Sequence, residues 1–380
     1  MAPPKETISS TSSTTPSPAE ELIPGLPYDI ALNCLSRVPR SHHPVLSAVS
    51  KPIKSLLSSP HLFTTRSLHN FTENLIYIIV LPKHALYFTF EPQPLLFAFH
   101  RKPNNNYKEN ASHFVPIPPC PSKLWGSSYA TLGSKIYVIG GGLLNSLPTT
   151  EVWILDCRLH TWERGPSMRV PRLSPSVVVF EGKIYVIAGR RLATPPVEVF
   201  DPAIGRWEVI PSPIDLRDQI RSISNSFMIG GGLIGITYNT MVVLDTTTRT
   251  WRKLPESACF LGPTMCSTCS VDGIVYGCDK TGAIYGLDTS KGEWKRIKMM
   301  LTLLGLYGFK IIKIGGRSLM LWATYRDATR KEKYWFAEIE VEKVGEGDFK
   351  GRVLLEEELQ SPPLVDNGGD SSGFPVSVSL

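Results

Sequence analysis

The chain has no run of about 18 apolar residues, so nothing in it reads as a transmembrane helix. Its start, Met1 to Ala19, is rich in Ser, Thr and Pro and lacks an apolar h-region, which excludes a secretory signal. Lys5 and Glu6, with no Arg, do not suit a transit peptide either, and residues 1–20 are expected to be a disordered tail. No block of one charge sign stands out. Forty Lys+Arg are interleaved with 34 Asp+Glu for a net +6, a weaker and less clustered balance than a nucleic-acid footprint. Neither a nucleic acid nor a membrane is therefore expected as a partner. Seven scattered cysteines, an odd count, give no disulfide framework and point to a reducing compartment, cytoplasmic or nuclear.

Signals for chemistry are equally scarce. Seven of the eight histidines lie at or before His113, and His160 alone falls further on. That argues against a His-based metal centre in the larger part of the chain, although a carboxylate-only site stays open. Cys266-x2-Cys269 is a single pair without a second pair at zinc-finger spacing. Cys259 and Cys278 lie nearby in a stretch of small alternating residues, which reads as a strand with buried thiols. The glycines at 140–142 and 230–232 are not followed by Gly-Lys-Ser/Thr and do not open a helix, so they are not phosphate loops. No catalytic residue, metal or cofactor is expected.

What the sequence does contain is a repeat. Asp-x5-Trp occurs as Asp156–Trp162, Asp201–Trp207, Asp245–Trp251 and Asp288–Trp294, with the tryptophans 45, 44 and 43 residues apart. A period of that size means one supersecondary unit stacked many times. Each Asp ends a short apolar strand, each Trp opens the next, and turn formers lie between, with Gly205 and Gly292 at one offset where φ > 0 is expected. The unit extends beyond this hairpin. Ser127 to Leu132, Lys135 to Gly141, Glu151 to Asp156 and Trp162 to Pro166 read as four strands, and Ser174 to Pro211 repeats them. Pro follows Trp162, Trp207 and Trp251 by four residues, and Phe114 with Pro118 fits the same spacing. Phe114 therefore marks a degenerate first unit, with earlier strands at Asn74 to Val80 and Ala85 to Phe90 and a polar insert around Asn104-Asn105-Asn106. A last unit is predicted from Leu306 to Ile314, Ser318 to Thr324, Tyr334 to Glu342 and Arg352 to Leu359. Six four-stranded units of this length form a β-propeller, which hides most strand edges. Phe374 to Leu380 alternates with period two and could supply the strand that the first unit lacks; the other reading of residues 361–380 is a disordered tail.

The segment before the repeats has a helical period. Ile30, Cys34 and Val38 recur at i, i+4, i+8, with Ala31 and Leu35 beside them, so one amphipathic helix follows Pro27 and Asp29. Val45, Leu46, Val49, Ile53, Leu56 and Leu57 continue at helical spacing. Pro52 would cost roughly 3 kcal/mol inside a helix; Ser50 as N-cap places it in the first turn of a third helix instead. Three short helices in so few residues bury little core of their own.

These residues resemble two known families. Strand, Gly140-Gly141, strand ending in Asp, turn and Trp resemble kelch repeats over about residues 74–360; no tryptophan is followed by Asp and no Gly-His pair occurs, so the WD type fits worse. Leu26-Pro27, Ile30, Cys34-Leu35, Val38-Pro39-Arg40, Leu46, Val49-Ser50-Lys51, Leu56-Leu57 and Ser58-Ser59-Pro60 resemble an F-box, especially the plant type fused to kelch repeats. Tyr28 departs from a place more often acidic, and Pro52-Ile53 from a basic or polar residue followed by an aromatic or basic one. The organisation expected is a tail at 1–20, a three-helix F-box at 21–68, a mainly β kelch propeller of six blades at 72–360, and the C-terminal segment.

The resemblance implies a substrate-recruiting subunit of a ubiquitin ligase. The F-box would dock on a Skp-type adaptor and through it on a cullin, and the propeller would capture a protein substrate, with catalysis left to other subunits. It implies Leu26, Pro27, Ile30, Leu35, Val38, Pro39, Leu46 and Val49 at or beneath the adaptor interface. Trp162, Trp207, Trp251 and Trp294 read as inter-blade core, and Asp156, Asp201, Asp245 and Asp288 as acceptors within their turns. Two other readings remain: an interaction scaffold without the adaptor, and a kelch-type enzyme acting on a small molecule.

Overall fold

The computed structural model describes residues 21–82, 94–100, 112–122, 124–142, 147–189, 197–223, 225–237, 240–254, 265–289, 291–301, 303, 305–328, 332–345, 347–359 and 371–380. The expected tail at 1–20, the strand expected at Ala85 to Phe90 and the Asn104-Asn105-Asn106 insert lie outside them. The chain divides into two compact units, Met1–Thr72 and Glu73–Leu380.

The first unit is helical. The three expected helices are α1 (Tyr28–Ser36), α2 (His43–Ser47, after a 3-10 turn at Arg40–His42) and α3 (Lys51–Leu57), and a fourth, α4 (Pro60–Leu68), follows. Ser50 caps α3, its Oγ accepting from the Ile53 N–H at 3.3 Å, so Pro52 sits where its missing N–H costs nothing. The core is Leu22, Ala31, Leu32, Leu35, Ile53, Leu56, Leu57 and Leu62. Ile53, one of the departures from the F-box pattern, is thus a core residue. Arg66 of α4 is 2% exposed, and its Nη1 donates to the carbonyls of Ser36 at 3.0 Å and Val38 at 2.7 Å. It satisfies carbonyls that the end of α1 leaves without helical partners.

The second unit is six four-stranded antiparallel sheets. Blade two holds β4 (Ser128–Leu132), β5 (Lys135–Ile139), β6 (Val152–Asp156) and β7 (Thr161–Arg164). Blade three holds β8 (Ser176–Phe180), β9 (Lys183–Ile187), β10 (Val197–Asp201) and β11 (Arg206–Ile210). Blade four holds β12 (Asn225–Ile229), β13 (Gly232–Ile236), β14 (Met241–Asp245) and β15 (Trp251–Lys253). Blade five holds β16 (Met265–Val271), β17 (Ile274–Asp279), β18 (Ile284–Asp288) and β19 (Glu293–Arg296). Blade six holds β20 (Tyr307–Gly315), β21 (Ser318–Arg326), β22 (Glu332–Val344) and β23 (Asp348–Leu359).

Blade one is built from both ends of the unit: β1 (Asn74–Pro82), β2 (Leu95–His100), β3 (His113–Ile117) and β24 (Ser371–Ser379), in the order β24-β1-β2-β3. Its second N-terminal strand is therefore Leu95–His100, apolar up to Phe99. The C-terminal segment over Ser371–Ser379 is a strand, not a tail. Its neighbours across the ring are β20 and β4, so β24 closes a circle of innermost strands that continues through β8, β12 and β16.

Apolar clusters fill the seams between blades. Leu321 and Ala337 meet Tyr276 and Cys278 between blades five and six, and Phe97 and Phe99 meet Trp322 and Tyr334 between six and one. In blades two to six the hairpins that join first to second strands are two-residue turns, and Glu181-Gly182, Gly230-Gly231 and Asp272-Gly273 have φ > 0 at both residues, as the twist of a tight hairpin favours. That is why Gly230-Gly231 stands elsewhere in its unit than Gly140-Gly141.

Candidate functional site

The helical unit sorts its apolar residues into two sets. Leu35 is in the core at 5% exposure, and Leu26, Val38 and Leu46 are half-buried. Ile30 at 52% and Val49 at 65% are exposed, as are Pro27, Pro39 and Cys34. The single stripe expected on α1 is thus two: Ala31, Leu32 and Leu35 face inward, whereas Pro27, Ile30 and Cys34 form an outer row at i, i+3, i+7. Val45 on α2 is 71% exposed, and Val49 lies in the turn after that helix. Val45 was not among the expected docking residues, although its spacing to Val49 was visible. Tyr28 stacks on His61 at the head of α4, ring centroids 6.4 Å apart.

On the propeller the repeated residues have specific structural partners. The indole Nε1 of Trp162 donates to the Pro118 carbonyl at 2.8 Å, that of Trp207 to Pro166 at 2.7 Å, and that of Trp251 to Pro211 at 3.0 Å. One bond thus explains two periodic residues, since each unit's Trp is held by the preceding unit's Pro. Trp294 packs edge-on against Phe227 of the preceding blade, centroids 6.1 Å apart.

The aspartates serve their turns. Asp156, Asp201 and Asp245 each accept from the N–H two residues on, at 2.9 Å. Asp288 is 1% exposed, with Lys295 Nζ 3.9 Å from its carboxylate. Four residues after each Asp the backbone is left-handed: His160 (φ 55), Gly205 (φ 64), Arg249 (φ 57) and Gly292 (φ 69). A side chain there costs about 1–2 kcal/mol, so Arg249→Gly is expected to stabilise the protein. The gain should stay below about 1 kcal/mol in a urea melt, because Gly also frees the unfolded chain.

Burial alone would raise the Asp156 carboxyl, but the hydrogen bonds and charge of Arg158 outweigh it and hold it low. The Lys183 hydrogen bond lowers Asp201, and backbone donors from Thr248 and Thr247 lower Asp245. Their folded values lie below the unfolded reference of 3.8, so the stability they add is complete above that pH and is lost as pH falls through the folded values. Thermal melts should therefore decline only on going below about pH 4, and Asp245→Asn should flatten the decline.

The Gly doublet of blade two touches a charged pair that the sequence reading missed. A Cβ on Gly140 would lie 2.6 Å from the Arg172 carbonyl oxygen, and Gly141 donates its N–H to that oxygen at 2.8 Å. The Arg172 and Glu198 side chains are fully buried, 3.2 Å apart at the closest. Arg172 Nη1 also donates to the Ala188 carbonyl at 2.6 Å, and Glu198 accepts from the N–H groups of Arg169 at 2.6 Å and Val170 at 3.2 Å. The available signal was a Glu inside the apolar strand Val197–Asp201.

The innermost strands surround an axial cavity of about 540 Å³. Hydroxyls of Thr131, Thr268 and Ser377 and the Cys269 thiol line it, and among the described lining residues Lys313 carries the one charge. Burial raises the Cys269 thiol, keeping it protonated at neutral pH. Among the described residues no group of three or more His, Cys, Asp or Glu side chains could hold a metal ion. No helix among them is long and apolar enough to cross a membrane.

Four-stranded blades fastened by repeated Trp and Asp, preceded in the sequence by a small helical unit with an exposed apolar row, define a protein of the F-box and kelch type. The comparisons agree. Residues 96–357 match the FKB95 kelch-repeats domain, and residues 23–65 match the F-box domain. Three Arabidopsis thaliana proteins are similar along nearly their whole length. F-box/kelch-repeat protein At4g39590 is 31% identical, over 89% of this chain and 87% of that one. At5g49000 is 33% identical over 93% and 95%, and At4g39550 is 30% identical over 93% and 92%. Among solved structures, that of YjhT matches with a TM-score of 0.46 at 12% identity, covering 68% of this chain and 91% of that one. The chain belongs to the F-box/kelch-repeat family.

Proposed function

We propose that the protein is a non-catalytic substrate receptor of a Skp–cullin–F-box ubiquitin ligase. The observation that carries this reading is the exposure of Ile30, Val45 and Val49, on a unit whose own core is already filled by other residues. Apolar side chains left at 52–71% exposure on short helices and the turn after α2 suit docking onto an apolar groove of a Skp-type adaptor. Pro27 and Pro39 belong to that surface, and Leu26, Val38 and Leu46 support it from beneath. Leu35 acts only through the fold.

The target surface we assign to one end of the propeller. In blades two to six the end with the two-residue turns and the Asp-to-Trp turns is committed to structure. The opposite end bears the longer connections 140–151, 165–175, 211–224 and 297–306. It also carries Leu147 at 80%, Ile214 at 76% and Met300 at 94% exposure. Large apolar side chains on loops held by a rigid scaffold suit recognition of a protein target. The receptor would then act by proximity, holding target lysines near a ubiquitin-loaded partner.

Affinity purification of the full chain from plant cells, with the proteasome inhibited, tests both halves. Adaptor and cullin should accompany the native chain and a Leu147→Asp/Ile214→Asp/Met300→Asp variant alike, while ubiquitinated partners should fall away from the variant alone. Absence of any adaptor on the native chain would overturn the ligase reading and leave an interaction scaffold. Unchanged partners on the variant would overturn the choice of end.

A further inference from the structure

Blade five carries three described cysteines, and the register of its first two strands sorts them. Met265 pairs with Asp279 and Ser267 with Cys278, so Cys266 is the extra residue of a β-bulge. In a bulge two residues of one strand oppose one of the other, and here Cys266 is the residue beside Ser267, the register partner of Cys278. Cys266 is exposed; Cys278 is fully buried. Of the neighbouring ionisable groups, the Cys266 thiol acts most strongly on the Cys278 thiol, and the Ser267 N–H donates to the Cys278 sulfur. Cys269 is placed differently. It pairs with Tyr276, two residues from Cys278 along β17. Such diagonal neighbours stand about 7–8 Å apart, beyond the Cα separation of about 4.4–6.8 Å that a disulfide spans. Cys266, by contrast, adjoins the residue that directly opposes Cys278.

We propose that Cys266 and Cys278 are a peroxide-responsive thiol pair, joined on oxidation by a disulfide across the β16–β17 bulge. Hydrogen peroxide oxidises the exposed Cys266 thiol to a sulfenic acid, one peroxide oxygen going to sulfur and the other leaving as water. The Cys278 sulfur then attacks the sulfenic sulfur, the S–O bond breaks, and the oxygen leaves as a second water with the Cys278 proton. Two thiols thus lose two electrons and two protons to one peroxide. Burial raises the Cys278 thiol to about 12. That keeps Cys278 from being the first sulfur oxidised and makes its attack the slow step. The bond is therefore one of sustained oxidation. Both cysteines stand at the end of blade five where β16 begins and β17 finishes, the end of the long connections.

The test treats the folded full chain with hydrogen peroxide, blocks remaining thiols with an alkylating agent, and maps peptides by mass spectrometry. The expected result is a Cys266–Cys278 cross-linked species, about 2 Da lighter than the two thiol peptides together and restored by dithiothreitol. Cys266→Ser, a change at an exposed position, should abolish it, leaving Cys278 fully alkylated once the chain is denatured. Cys278→Ala should divert Cys266 to sulfinic and sulfonic acid. A native chain in which Cys266 ends as sulfinic acid, or pairs with Cys259 or Cys269, while Cys278 stays a free thiol would overturn the proposal.

Discussion

Deleting residues 371–380 is expected to leave no cooperatively folded propeller. β24 pairs with β1 over nine positions, from Asn74 opposite Ser379 to Pro82 opposite Ser371. Glu73 and Leu380 exchange N–H···O bonds of 2.6 and 2.8 Å at the end of that ladder. Val378 is 1% and Leu380 5% exposed, and Phe374 lies under Lys310, its Nζ 5.3 Å from the ring centroid. Each buried aliphatic side chain contributes about 1.5–3 kcal/mol, and each ladder bond roughly 1 kcal/mol net. Together these approach the whole stability of a domain, about 5–15 kcal/mol. The deletion also bares the edge of β1, a template for aggregation. Pro375 is tolerated because β24 has a ladder partner on one side only. Thermal melting followed by near-ultraviolet circular dichroism should show no transition for the shortened chain, and gel filtration should show aggregates. A truncated monomer that melts within a few degrees of the full chain would contradict this account.

Glu198→Ala is expected to cost about 3–5 kcal/mol, the usual result of removing one partner from a buried ion pair. The reason lies in what it leaves behind. The Arg172 guanidinium, fully buried, keeps the Ala188 carbonyl but loses its counter-charge, and the N–H groups of Arg169 and Val170 lose their acceptor. Burial already depresses the Arg172 guanidinium against the pull of Glu198. Glu198→Gln, which keeps the shape and one acceptor oxygen, should fall between native and Ala. Arg172→Met should resemble Glu198→Ala, because it strands the carboxylate. Replacing both at once should not restore stability, since the backbone groups they serve remain unpaired. Urea denaturation of the four variants measures this order; a loss under about 1 kcal/mol for Glu198→Ala would show that the pair is dispensable.

Much of the fold was legible because the repeat is written in residues whose roles are local. Asp caps its own turn, Gly205 and Gly292 take the left-handed position, and Trp follows at fixed distance, so pitch and blade count could be read together. Blade six lacks Asp-x5-Trp, yet its long alternating strands were readable. Leu95–His100 was not, because a run with its four central residues buried shows no alternation, and the neighbouring segment Ala85 to Phe90 is just as apolar. The Arg172–Glu198 pair was hidden for another reason: its partners meet only when β10 and the loop before β8 are brought together. The proposed docking surface was half legible. Apolar spacing named Ile30 and Leu35 alike, and only the packing of α1 against the other helices assigns Leu35 inward and Ile30 outward. Val45 was overlooked because its exposure depends on how short α2 is.

The most direct test is the affinity of the full chain for a panel of purified Skp-type adaptors, measured by calorimetry beside an Ile30→Asp/Val49→Asp variant and a Met300→Asp control. The account predicts that the native chain and the Met300→Asp chain bind one adaptor equally. The double variant, still folded by circular dichroism, should lose about 30-fold or more, corresponding to a hot-spot loss of about 2 kcal/mol. Equal binding by all three chains, or no binding of any adaptor by folded native protein, would contradict it.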